Sequence, residues 1–593
     1  MASSGNFCNF SIPLRPRSPY SSSDQITGGG LSIKLPSSGG IEPVIASMSP
    51  NSGKWYWEYR AGQGGTNTSG RPSIAVSEQG VKKDSEYYGG KSGITGVLFV
   101  TNDGGKRING SDTSYGNTVS QHDIVQIALD CDNGAVYFGI NNTWQNSGNP
   151  ESGASKTGAA LSSGIQNVAI DILHVRYVGG TIDQYNFGQD DTFGGAITAA
   201  GNADGNGHGV FKYAPPTGFL ALCSANLPIS DNIDPAGDDG ADENPTKQFN
   251  VVTYTGDGST SNAISNLGFS PDLVWIGQRS SPTSNYSNGM FDTSRGRAKV
   301  LYSHRSDKQP SDSSSTQDLV SFDSDGFTVG TNNSASVNGS SKEMVAWCWK
   351  CAGGTTSSNS SGSANSTVQV NTKAGFSICL TDNYTAANGV TIGHGLGVKP
   401  AFYLHKTTGD NSSGGASQAF NWHVYHHSLS ATKAVFLNLT NAAATAIGYW
   451  NNTEPTTDVL SLGNLIAGNG QSLVYAWAEV EGYSKFGTYE GNGNADGPFV
   501  STGFRPRLLM IKNSEQSSNW VVLDSARQTF NPNENYLRWN TGEAEGGTST
   551  TFDVDFLSNG FKVRSTETDL NTSDKTFIYG AWAYVPFKYN NNF

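Results

Sequence analysis

The sequence has few charged residues and no long hydrophobic run, and each shortage excludes a class of protein. Only 15% of its 593 residues are charged, and the net charge is −13. No basic block exceeds a few residues, whereas a surface that follows nucleic acid needs clustered lysine and arginine. No stretch approaches the ~18 consecutive apolar residues of a membrane span. We therefore predict no nucleic-acid partner and no insertion into a membrane.

Cysteine is also scarce. The six cysteines are Cys8, Cys131, Cys223, Cys348, Cys351 and Cys379. They are too sparse for a disulfide framework, so we predict that they are reduced. Cys348 and Cys351 have the spacing of a redox pair, but they follow a strand instead of beginning a helix, and we predict no redox role. The first residues lack a basic segment followed by an apolar one, so we expect synthesis in a cytoplasm.

What the sequence does contain is glycine, aromatic residues and short alternating runs. Glycine accounts for 73 residues and aromatic residues for 11%, and disordered chains are poor in aromatics. Apolar and polar residues mostly alternate in runs of four to eight, as in 54–60 and 508–512, which is typical of strands. Helical spacing and heptads are almost absent. These patterns predict an all-β fold without a fibrous shaft.

Three successive segments carry the same ordered strings, which indicates an internal repeat. The markers are an Ala-Trp string ending at Trp347, Trp477 and Trp582, and a proline at Pro271, Pro400 and Pro506. The tryptophans are 130 and 105 residues apart, and the prolines 129 and 106. The prolines predict edge-type strands, and the Asp-Gly-Phe and Asn-Gly-Phe strings predict tight hairpins. Each repeat is predicted to be a β-sandwich of about 100 residues.

Changes in composition place the boundaries. Residues 194–209 are rich in glycine, alanine and asparagine, residues 231–244 are acidic, and residues 353–366 have the composition of a flexible connector. The chain is therefore predicted to consist of tandem β-sandwiches. The predicted units are a sandwich at 1–195, a connector at 196–247, and repeats at 248–352, 366–483 and 484–593.

The first of these units resembles a known family. It contains, in order, SGKWYWEY from Ser52, IAVS from Ile74, DIVQIALD from Asp123, GAVYFGINNTW from Gly134 and YNFGQ from Tyr185. This set resembles a SPRY (B30.2-like) domain. The resemblance implies a concanavalin-like jelly roll that binds proteins or glycans through loops at one end, without catalysis.

Loop aromatics of this domain are the predicted ligand-binding residues. They are Tyr87, Tyr88, Tyr115 and Trp144. An aromatic ring can stack on the apolar face of a sugar while nearby asparagine and aspartate bond its hydroxyls.

A second resemblance covers most of the rest of the chain. YAPPTGF from Tyr213, PDLVWI from Pro271 and VAWCW from Val345 resemble structural proteins of tailed bacteriophages. The resemblance implies a virion component on the particle surface, assembled in the host cytoplasm. Its expected partners are other virion proteins and a host-surface glycan or protein. We expect a homo-oligomer, because multivalency converts weak sugar contacts into avidity.

Three functions stay open at this point. The first is a tail fibre or adhesin that binds a host receptor without catalysis. The second is a decoration protein that stabilises the capsid or tail, which the lack of a shaft-forming segment favours. The third is a polysaccharide depolymerase, which would need two carboxylates flanking a sugar groove, and the sequence alone pairs none. No nucleophile elbow or phosphate loop is present, so we predict no catalytic residues and no enzyme.

Histidines of the second repeat are the candidate metal ligands. His423 and His427 would share one face of a strand, and imidazoles suit zinc or nickel. The matching positions of the other repeats offer no ligand, and no cysteine or glutamate completes a standard motif. We therefore predict neither a metal nor another cofactor.

Overall fold

The computed structural model describes most of the chain. The described residues are 6–10, 25–34, 42–62, 73–79, 95–176, 182–230, 233–234, 243–280, 288–307, 309, 318–330, 337–381, 389–408, 421–464, 466, 471–547 and 552–586. Antiparallel strands dominate them, and the predicted all-β class of tandem β-sandwiches is confirmed. Within these ranges, no helix has the length and hydropathy needed to cross a bilayer.

The N-terminal sandwich is formed by strands β1 to β14. Their bounds are β1 Gln25–Thr27, β2 Ser32–Lys34, β3 Glu42–Ile45, β4 Lys54–Arg60, β5 Ser73–Glu78, β6 Gly96–Val100, β7 Gly105–Ile108, β8 Ser111–Ser114, β9 Ile124–Asp130, β10 Ala135–Ile140, β11 Thr143–Trp144, β12 Ile170–Arg176, β13 Ile182–Asn186 and β14 Leu220–Ala221. One sheet has the order β1-β2-β13-β4-β9-β10-β11, with β14 beside β4, and the other has the order β3-β12-β5-β6-β7-β8. Inward side chains such as Trp57, Phe99 and Phe138 fill the space between the sheets.

The predicted connector packs on the outer face of the larger sheet of this sandwich. Phe211 lies edge-on against Tyr56, with ring centroids 5.1 Å apart. The buried carboxylate of Glu58 accepts hydrogen bonds from the backbone N–H groups of Lys212 and Tyr213, at 2.9 and 2.7 Å. Burial raises the pKa of Glu58. The connector is thus held to the sandwich by both apolar and polar contacts.

The remaining strands form the three repeats. The first repeat contains β15 Phe249–Thr255, β16 Asn262–Ile264, β17 Leu273–Gln278, β18 Gly289–Asp292, β19 Leu301–Tyr302, β20 Leu319–Asp323, β21 Gly326–Val329 and β22 Glu343–Trp349. The second contains β23 Ser357–Asn359, β24 Ser366–Asn371, β25 Phe376–Thr381, β26 Val390–Gly393, β27 Phe402–Thr407, β28 His423–His426, β29 Lys433–Phe436, β30 Ala444–Thr445, β31 Val459–Leu462 and β32 Ser472–Trp477. The third contains β33 Ser484–Glu490, β34 Phe499–Ser501, β35 Phe504–Asn513, β36 Val521–Asp524, β37 Leu537–Arg538, β38 Val554–Leu557, β39 Gly560–Val563 and β40 Thr576–Pro586.

Helices in the described residues are short. The α-helices are α1 Ile447–Trp450 and α2 Thr568–Asn571, and the 3-10 helices are Gly28–Gly30, Gln145–Ser147, Pro150–Ser155, Ser224–Asn226, Pro245–Lys247 and His427–Leu429.

Each repeat is a sandwich of one large and one small sheet. The large sheets have the orders β15-β22-β17-β18-β19, β23-β24-β25-β32-β27-β28-β29-β30 and β33-β40-β35-β36-β37. The small sheets are β16-β21-β20, β26-β31 and β34-β39-β38. Equivalent strands occupy equivalent places, so the repeat seen in the sequence is a repeat of structure.

The hairpins predicted at the Asp-Gly-Phe and Asn-Gly-Phe strings are present between β20 and β21 and between β38 and β39. Their glycines are needed because a third strand approaches closely. A Cβ at Gly326 would lie 1.9 Å from the carbonyl oxygen of Ile264, and one at Gly560 would lie 2.0 Å from that of Val500.

Two other sequence-based predictions about the repeats are wrong. The prolines do not mark edge strands, because β17, β27 and β35 each lie between two neighbours in their sheets. Pro271 and Pro400 precede their strands, and Pro506 lies at a bulge of β35, so no ladder N–H is missing where one is required. Residues 353–366 are not merely a connector, since β23 lies within them as the edge strand of the second large sheet.

In the first repeat, the tryptophan equivalent to Trp477 and Trp582 is Trp349, two residues after the Trp347 that the sequence marker indicates. The residue two positions after each proline pairs with Trp349, Trp477 and Trp582 in the three repeats. Trp347 and Trp349 lie on the same face of β22, so the sequence pattern does not distinguish them.

The large sheets meet one another in a central core. In β22, Val345, Trp347 and Trp349 face this core, whereas Ala346 and Cys348 face the small sheet of their own repeat. The same alternation holds for β32 and β40. Each large sheet is therefore buried on both faces, and the three repeats form one body instead of a string of separate domains.

Three equivalent tryptophans contact one another at the centre and form what we call the tryptophan triangle. The ring centroids of Trp349, Trp477 and Trp582 are 5.7, 5.4 and 5.9 Å apart, and each pair meets edge to face. Each ring also contacts a phenylalanine on the neighbouring strand of its own sheet: Phe249, Phe376 or Phe486. The repeats are thus arranged around a pseudo-threefold axis.

The joint between the first and second repeats carries a buried ion pair. At the end of β18, Asp292 accepts a hydrogen bond from Arg295 and another from the Tyr475 hydroxyl of the second repeat, the latter at 2.6 Å. A second contact crosses the joint where the indole N–H of Trp422 donates to the carbonyl of Tyr302, at 2.9 Å.

The joint between the third and first repeats has the same construction. At the end of β36, Asp524 accepts hydrogen bonds from Arg527 at 2.6 Å and from the indole N–H of Trp347 at 3.1 Å. Asn288 is the residue of the first repeat equivalent to Trp422 of the second. Its side chain donates to the carbonyl of Arg538 at 3.2 Å.

The joint between the second and third repeats uses a histidine instead. His426, at the end of β28, donates from Nε2 to the carbonyl of Tyr579 at 3.1 Å and accepts at Nδ1 from the N–H of Ser428. Trp520 donates to the carbonyl of Phe436 at 2.8 Å, as Trp422 does in the first joint. The three joints therefore close a ring.

Candidate functional site

A β-bulge at the joint between the third and first repeats positions an arginine. In β35, Pro506 pairs with Ala583 and Leu508 pairs with Trp582, which leaves Arg507 as the extra residue. A bulge turns the side chain of its extra residue away from the regular ladder. Here it brings the guanidinium of Arg507 against β15 of the first repeat.

The hydrogen-bond partners of Arg507 are neutral. Its Nε donates to Asn250 Oδ1 at 3.0 Å and its Nη2 to the carbonyl of Val251 at 2.9 Å, while Nη1 makes only a 3.4 Å contact with Ser525 Oγ. Within the described part of the chain, no carboxylate forms an ion pair with this guanidinium. Burial lowers the pKa of Arg507, and the more distant charge of Asp524 acts in the opposite direction.

An exposed tyrosine covers this arginine. The guanidinium carbon of Arg507 lies 5.3 Å from the ring centroid of Tyr584, within cation–π range. Tyr584 is 46% exposed, whereas Trp582, two residues earlier on the same strand, is buried in the tryptophan triangle. Residues beyond the core on this strand therefore present an aromatic face to solvent.

These side chains line an open cavity of about 460 Å³, which we call the junction pocket. Its lining residues are Asn244, Pro245, Thr246, Asn250, Arg507, Tyr584 and Val585. Asn244 Oδ1 accepts from the N–H and hydroxyl of Thr246, which directs its amide nitrogen elsewhere. The pocket thus combines a cation, an aromatic ring and small polar groups.

A second exposed aromatic lies on the same end of the third repeat. Phe530 is 81% exposed. Its loop is braced by Gln528, whose Oε1 accepts from the N–H groups of Glu534 and Asn535, both at 3.0 Å. Arg505 links the loop to the pocket, since it contacts the carbonyl of Thr529 and pairs with Val585. A large apolar side chain held in solvent by an ordered loop is a typical contact residue for a ligand or partner.

A further cavity of about 270 Å³ lies between the N-terminal sandwich and the third repeat. One of its two carboxylates is engaged within the repeats. Glu479 accepts from the N–H of Phe486 at 2.9 Å and lies 3.5 Å from Lys485. Burial raises the pKa of Glu481, and Asn559 donates across the interface to the carbonyl of Ser47. The polar groups of this cavity are thus taken up by contacts within the repeats and with the sandwich, and the junction pocket is the better candidate for a ligand.

The structure buries one of the predicted ligand-binding aromatics and half-buries another. Tyr115 is 5% exposed, packs edge-on against Phe99 and donates to the carbonyl of Gly158 at 3.2 Å, so its ring has no free face for a sugar. Trp144 is half-buried and packs with the aromatic cluster beneath the connector. Tyr87 and Tyr88 lie outside the described residues.

The candidate metal ligands do not converge. His423 faces His405 across the strand pair, with ring centroids 5.9 Å apart, whereas the Nε2 of His427 contacts the carbonyl of Phe486 at 3.0 Å. Burial lowers the pKa of His423 to about 3. Among the residues that the structure describes, no group of three or more histidine, cysteine, aspartate or glutamate side chains is arranged to hold a metal ion.

The cysteines of the redox-type spacing are packing residues. Cys348 is fully buried in the first repeat and Cys351 is 6% exposed. Burial raises the pKa of each thiol well above the ordinary value for cysteine, which disfavours the reactive thiolate.

Sequence reasoning missed Arg507, Tyr584 and Phe530. Nothing in the sequence marks Arg507 as the extra residue of a bulge. Tyr584 follows Trp582 by two residues and shares its strand face, so alternation alone groups it with the core. Phe530 lies in a segment rich in asparagine and proline, and an aromatic residue inside such a loop was the available signal.

Comparison with known proteins gives a family match and a set of structural similarities. Residues 244–586, which span all three repeats and more than half of the chain, match the family model described as Domain of unknown function (DUF7483). No curated protein matches the chain.

Solved structures similar to the chain include SPRY domains. The SPRY domain of human HERC1 is 17% identical, with 30% of this chain and 96% of that chain covered and a TM-score of 0.22. The TRIM65 PSpry domain is 14% identical, with 31% and 91% covered and a TM-score of 0.22. Stonustoxin is 15% identical, with 30% and 26% covered and a TM-score of 0.21.

Proposed function

Because the chain belongs to the family described as Domain of unknown function (DUF7483), we propose its function from the geometry of the repeats. We propose that it is a non-catalytic binding protein of a virion surface, of the tail-fibre or adhesin type, that holds a host-surface glycan in the junction pocket. The sequence resemblance to tailed-bacteriophage structural proteins supports the virion setting. Other virion proteins are then its assembly partners, and a homo-oligomer would supply avidity.

One observation carries the proposal: the ring of Tyr584 is 46% exposed beside a cavity of about 460 Å³ with polar walls. Ligand pockets typically measure about 300–1,000 Å³ and combine an apolar surface with a few polar groups. A sugar ring can stack on an aromatic face while its hydroxyls bond to amide and hydroxyl groups. Phe530 adds a second aromatic contact on the same end of the repeat.

The interlocked repeats make this surface rigid. The joint between the first and third repeats contributes to both walls of the pocket, and the buried contacts of Asp524 hold that joint together. A preformed site loses less conformational entropy on binding than a flexible one. Rigidity of the ring therefore favours recognition at this position.

The test is binding of the full-length chain to intact cells of candidate hosts, with products released from their surface polysaccharide assayed alongside. We expect saturable binding, no released sugar, and about tenfold or greater loss of affinity in Tyr584→Ala, because the stacking face is removed. Ile447→Ala is the matched control, since Ile447 is a 67% exposed apolar residue of the second repeat.

Each other outcome contradicts the proposal in a different way. Absence of binding to every permissive host would leave a decoration protein that stabilises the capsid or tail as the better account. Sugar release would instead indicate a depolymerase. Equal loss of binding in Ile447→Ala and Tyr584→Ala would show that the contact surface lies elsewhere.

A further inference from the structure

The position of Arg507 differs in chemistry among the three repeats. The residue that follows the marker proline is Asp272 in the first repeat, Ala401 in the second and Arg507 in the third. Asp272 accepts the backbone N–H groups of Cys351, Gly353 and Gly354, the first at 2.6 Å. Ala401 has no polar side chain. The repeat fold therefore does not require a cation at this place.

The half-buried Arg507 also differs from the two buried arginines of the repeats in the partners of its charge. Arg295 and Arg527 each bond to an aspartate three residues earlier. Arg507 meets only neutral acceptors within the described ranges. A desolvated charge without a counter-ion is costly, so an anion entering from solvent would gain the interaction that the fold does not provide.

Nη1 is the least engaged nitrogen of the guanidinium, and Arg507 lines the pocket. Nε and Nη2 are held by the first repeat, whereas Nη1 has only the 3.4 Å contact with Ser525. The guanidinium carbon lies 5.3 Å from the ring centroid of Tyr584, so a ligand that stacks on this ring lies close to the guanidinium. A guanidinium presents its donors in a fork that matches the oxygens of a carboxylate or phosphate.

We infer that the junction pocket selects an acidic glycan, with Arg507 as the counter-ion of a carboxylate or phosphate group on the sugar. The inference rests on the proposed glycan-binding function and adds the chemical class of the ligand. Tyr584 stacks on the sugar ring, and the amide of Asn244 lies among the lining groups that can bond a hydroxyl.

The experiment measures affinities of the full-length chain by calorimetry for three probes: a glucuronate-containing oligosaccharide, its carboxyl-reduced counterpart, and a glycerol-phosphate oligomer. The two acidic probes distinguish a carboxylate from a phosphate source. We expect one of them to bind about tenfold to a hundredfold more tightly than the neutral probe, as for a hydrogen bond to a charged group. Arg507→Gln removes this preference, and Arg507→Lys restores part of it.

Arg564→Gln is the matched control, because Arg564 is an exposed arginine of the same repeat that pairs with Asp555 and does not line the pocket. Thermal unfolding of each variant shows whether the joint still folds. Equal binding of neutral and acidic probes that Tyr584→Ala abolishes would overturn the anion inference while keeping the glycan function. Failure of all three probes would count against both, and loss of preference in Arg564→Gln would overturn the assignment to Arg507.

Discussion

The joint between the first and second repeats and the joint between the second and third occupy equivalent places but use different chemistry. In the former, the carboxylate of Asp292 accepts from the Tyr475 hydroxyl of the next repeat. In the latter, the imidazole of His426 donates to a backbone carbonyl. The same position can therefore close the ring either as an acceptor or as a donor, provided that the facing residue changes with it.

The facing residue does change. Trp347, Tyr475 and Gly580 occupy the same place in β22, β32 and β40, two residues before the tryptophan triangle. The first two donate to an aspartate. A Cβ at Gly580 would lie 2.5 Å from Met510 Cε, so no side chain is available there and the backbone carbonyl beside it becomes the acceptor. The comparison shows that each joint has a matched pair of residues.

The largest effect is expected from breaking a charged joint. Asp292→Ala leaves Arg295 buried without its partner, which should lower the free energy of unfolding by about 3–5 kcal/mol. Chemical denaturation followed by tryptophan fluorescence measures the change. The double variant Asp292→Ala with Arg295→Leu removes both charges, and leucine is the natural residue at that place in the second repeat. It should be less destabilised than the single variant, and an equal or larger loss would contradict the account.

The histidine joint should respond to pH. Burial lowers the pKa of His426 to about 3 from an ordinary value of 6.5, and the neighbouring ring of His427 acts in the same direction. The unfolded chain binds a proton below pH 6.5 that the folded chain excludes, so this contribution is complete above pH 6.5 and is lost as the pH falls toward 3. Between these two pH values, the contribution of His426 to the free energy of unfolding changes by up to about 1.4 kcal/mol per pH unit.

The measurement compares wild type with His426→Gln in denaturant titrations at pH 7.5, 6.0 and 5.0. Other buried histidines contribute to both proteins and cancel in the difference. We expect the wild type to lose more stability than the variant on acidification. If the difference in free energy of unfolding between wild type and His426→Gln stays constant with pH, His426 does not remain neutral in the folded chain.

Two neighbouring tryptophans separate packing from hydrogen bonding. Trp347 donates to Asp524, whereas the indole N–H of Trp349 has no hydrogen-bond acceptor among the described residues. Both rings are buried in the central core, so replacement by phenylalanine removes similar volume. Trp347→Phe should lower the free energy of unfolding by about 1–3 kcal/mol more than Trp349→Phe does, because it leaves the buried carboxylate of Asp524 short of a donor. Equal costs in thermal unfolding would mean that the indole bond to Asp524 contributes little.

The smallest effect is expected at a surface pair outside the joints. Lys399 and Glu454 are 2.9 Å apart, with side chains 48% and 42% exposed. Solvent screens such a pair, so Lys399→Ala should change the free energy of unfolding by about 0.5 kcal/mol or less. A loss comparable to that of Asp292→Ala would show that the joints are not the main polar source of stability.

Part of this architecture was accessible from the sequence. Alternation and spaced markers predicted strands, sandwiches and the three repeats, because burial of one sheet face imposes a period of two. The closed ring was not predicted, although the runs ending at Trp349, Trp477 and Trp582 are apolar at almost every position. Such continuity indicates a sheet covered on both faces. The partner that covers the second face is distant in sequence, so the pattern does not identify it.

The candidate site was less accessible. Whether Arg507 points into a ladder or into a cavity depends on a register shift between β35 and β40, which comes from the packing of whole sheets. Tyr584 lies where its strand extends past the central core, and the same register shift leaves it without a partner in the ladder. The aromatic residues chosen from the resemblance were judged by residue type, and Tyr115 shows that a loop aromatic also serves as a packing residue.

The central claim is that the three repeats unfold as one body, and hydrogen exchange of Trp477→Ala in the full-length chain tests it most directly. Removing this indole should lower the free energy of unfolding by about 3–5 kcal/mol. If the three repeats form a closed ring, the most protected amides of β22, β32 and β40 lose similar protection, although only the second repeat is altered. Loss of protection confined to β32 and its sheet, with β22 and β40 unchanged, would contradict the account.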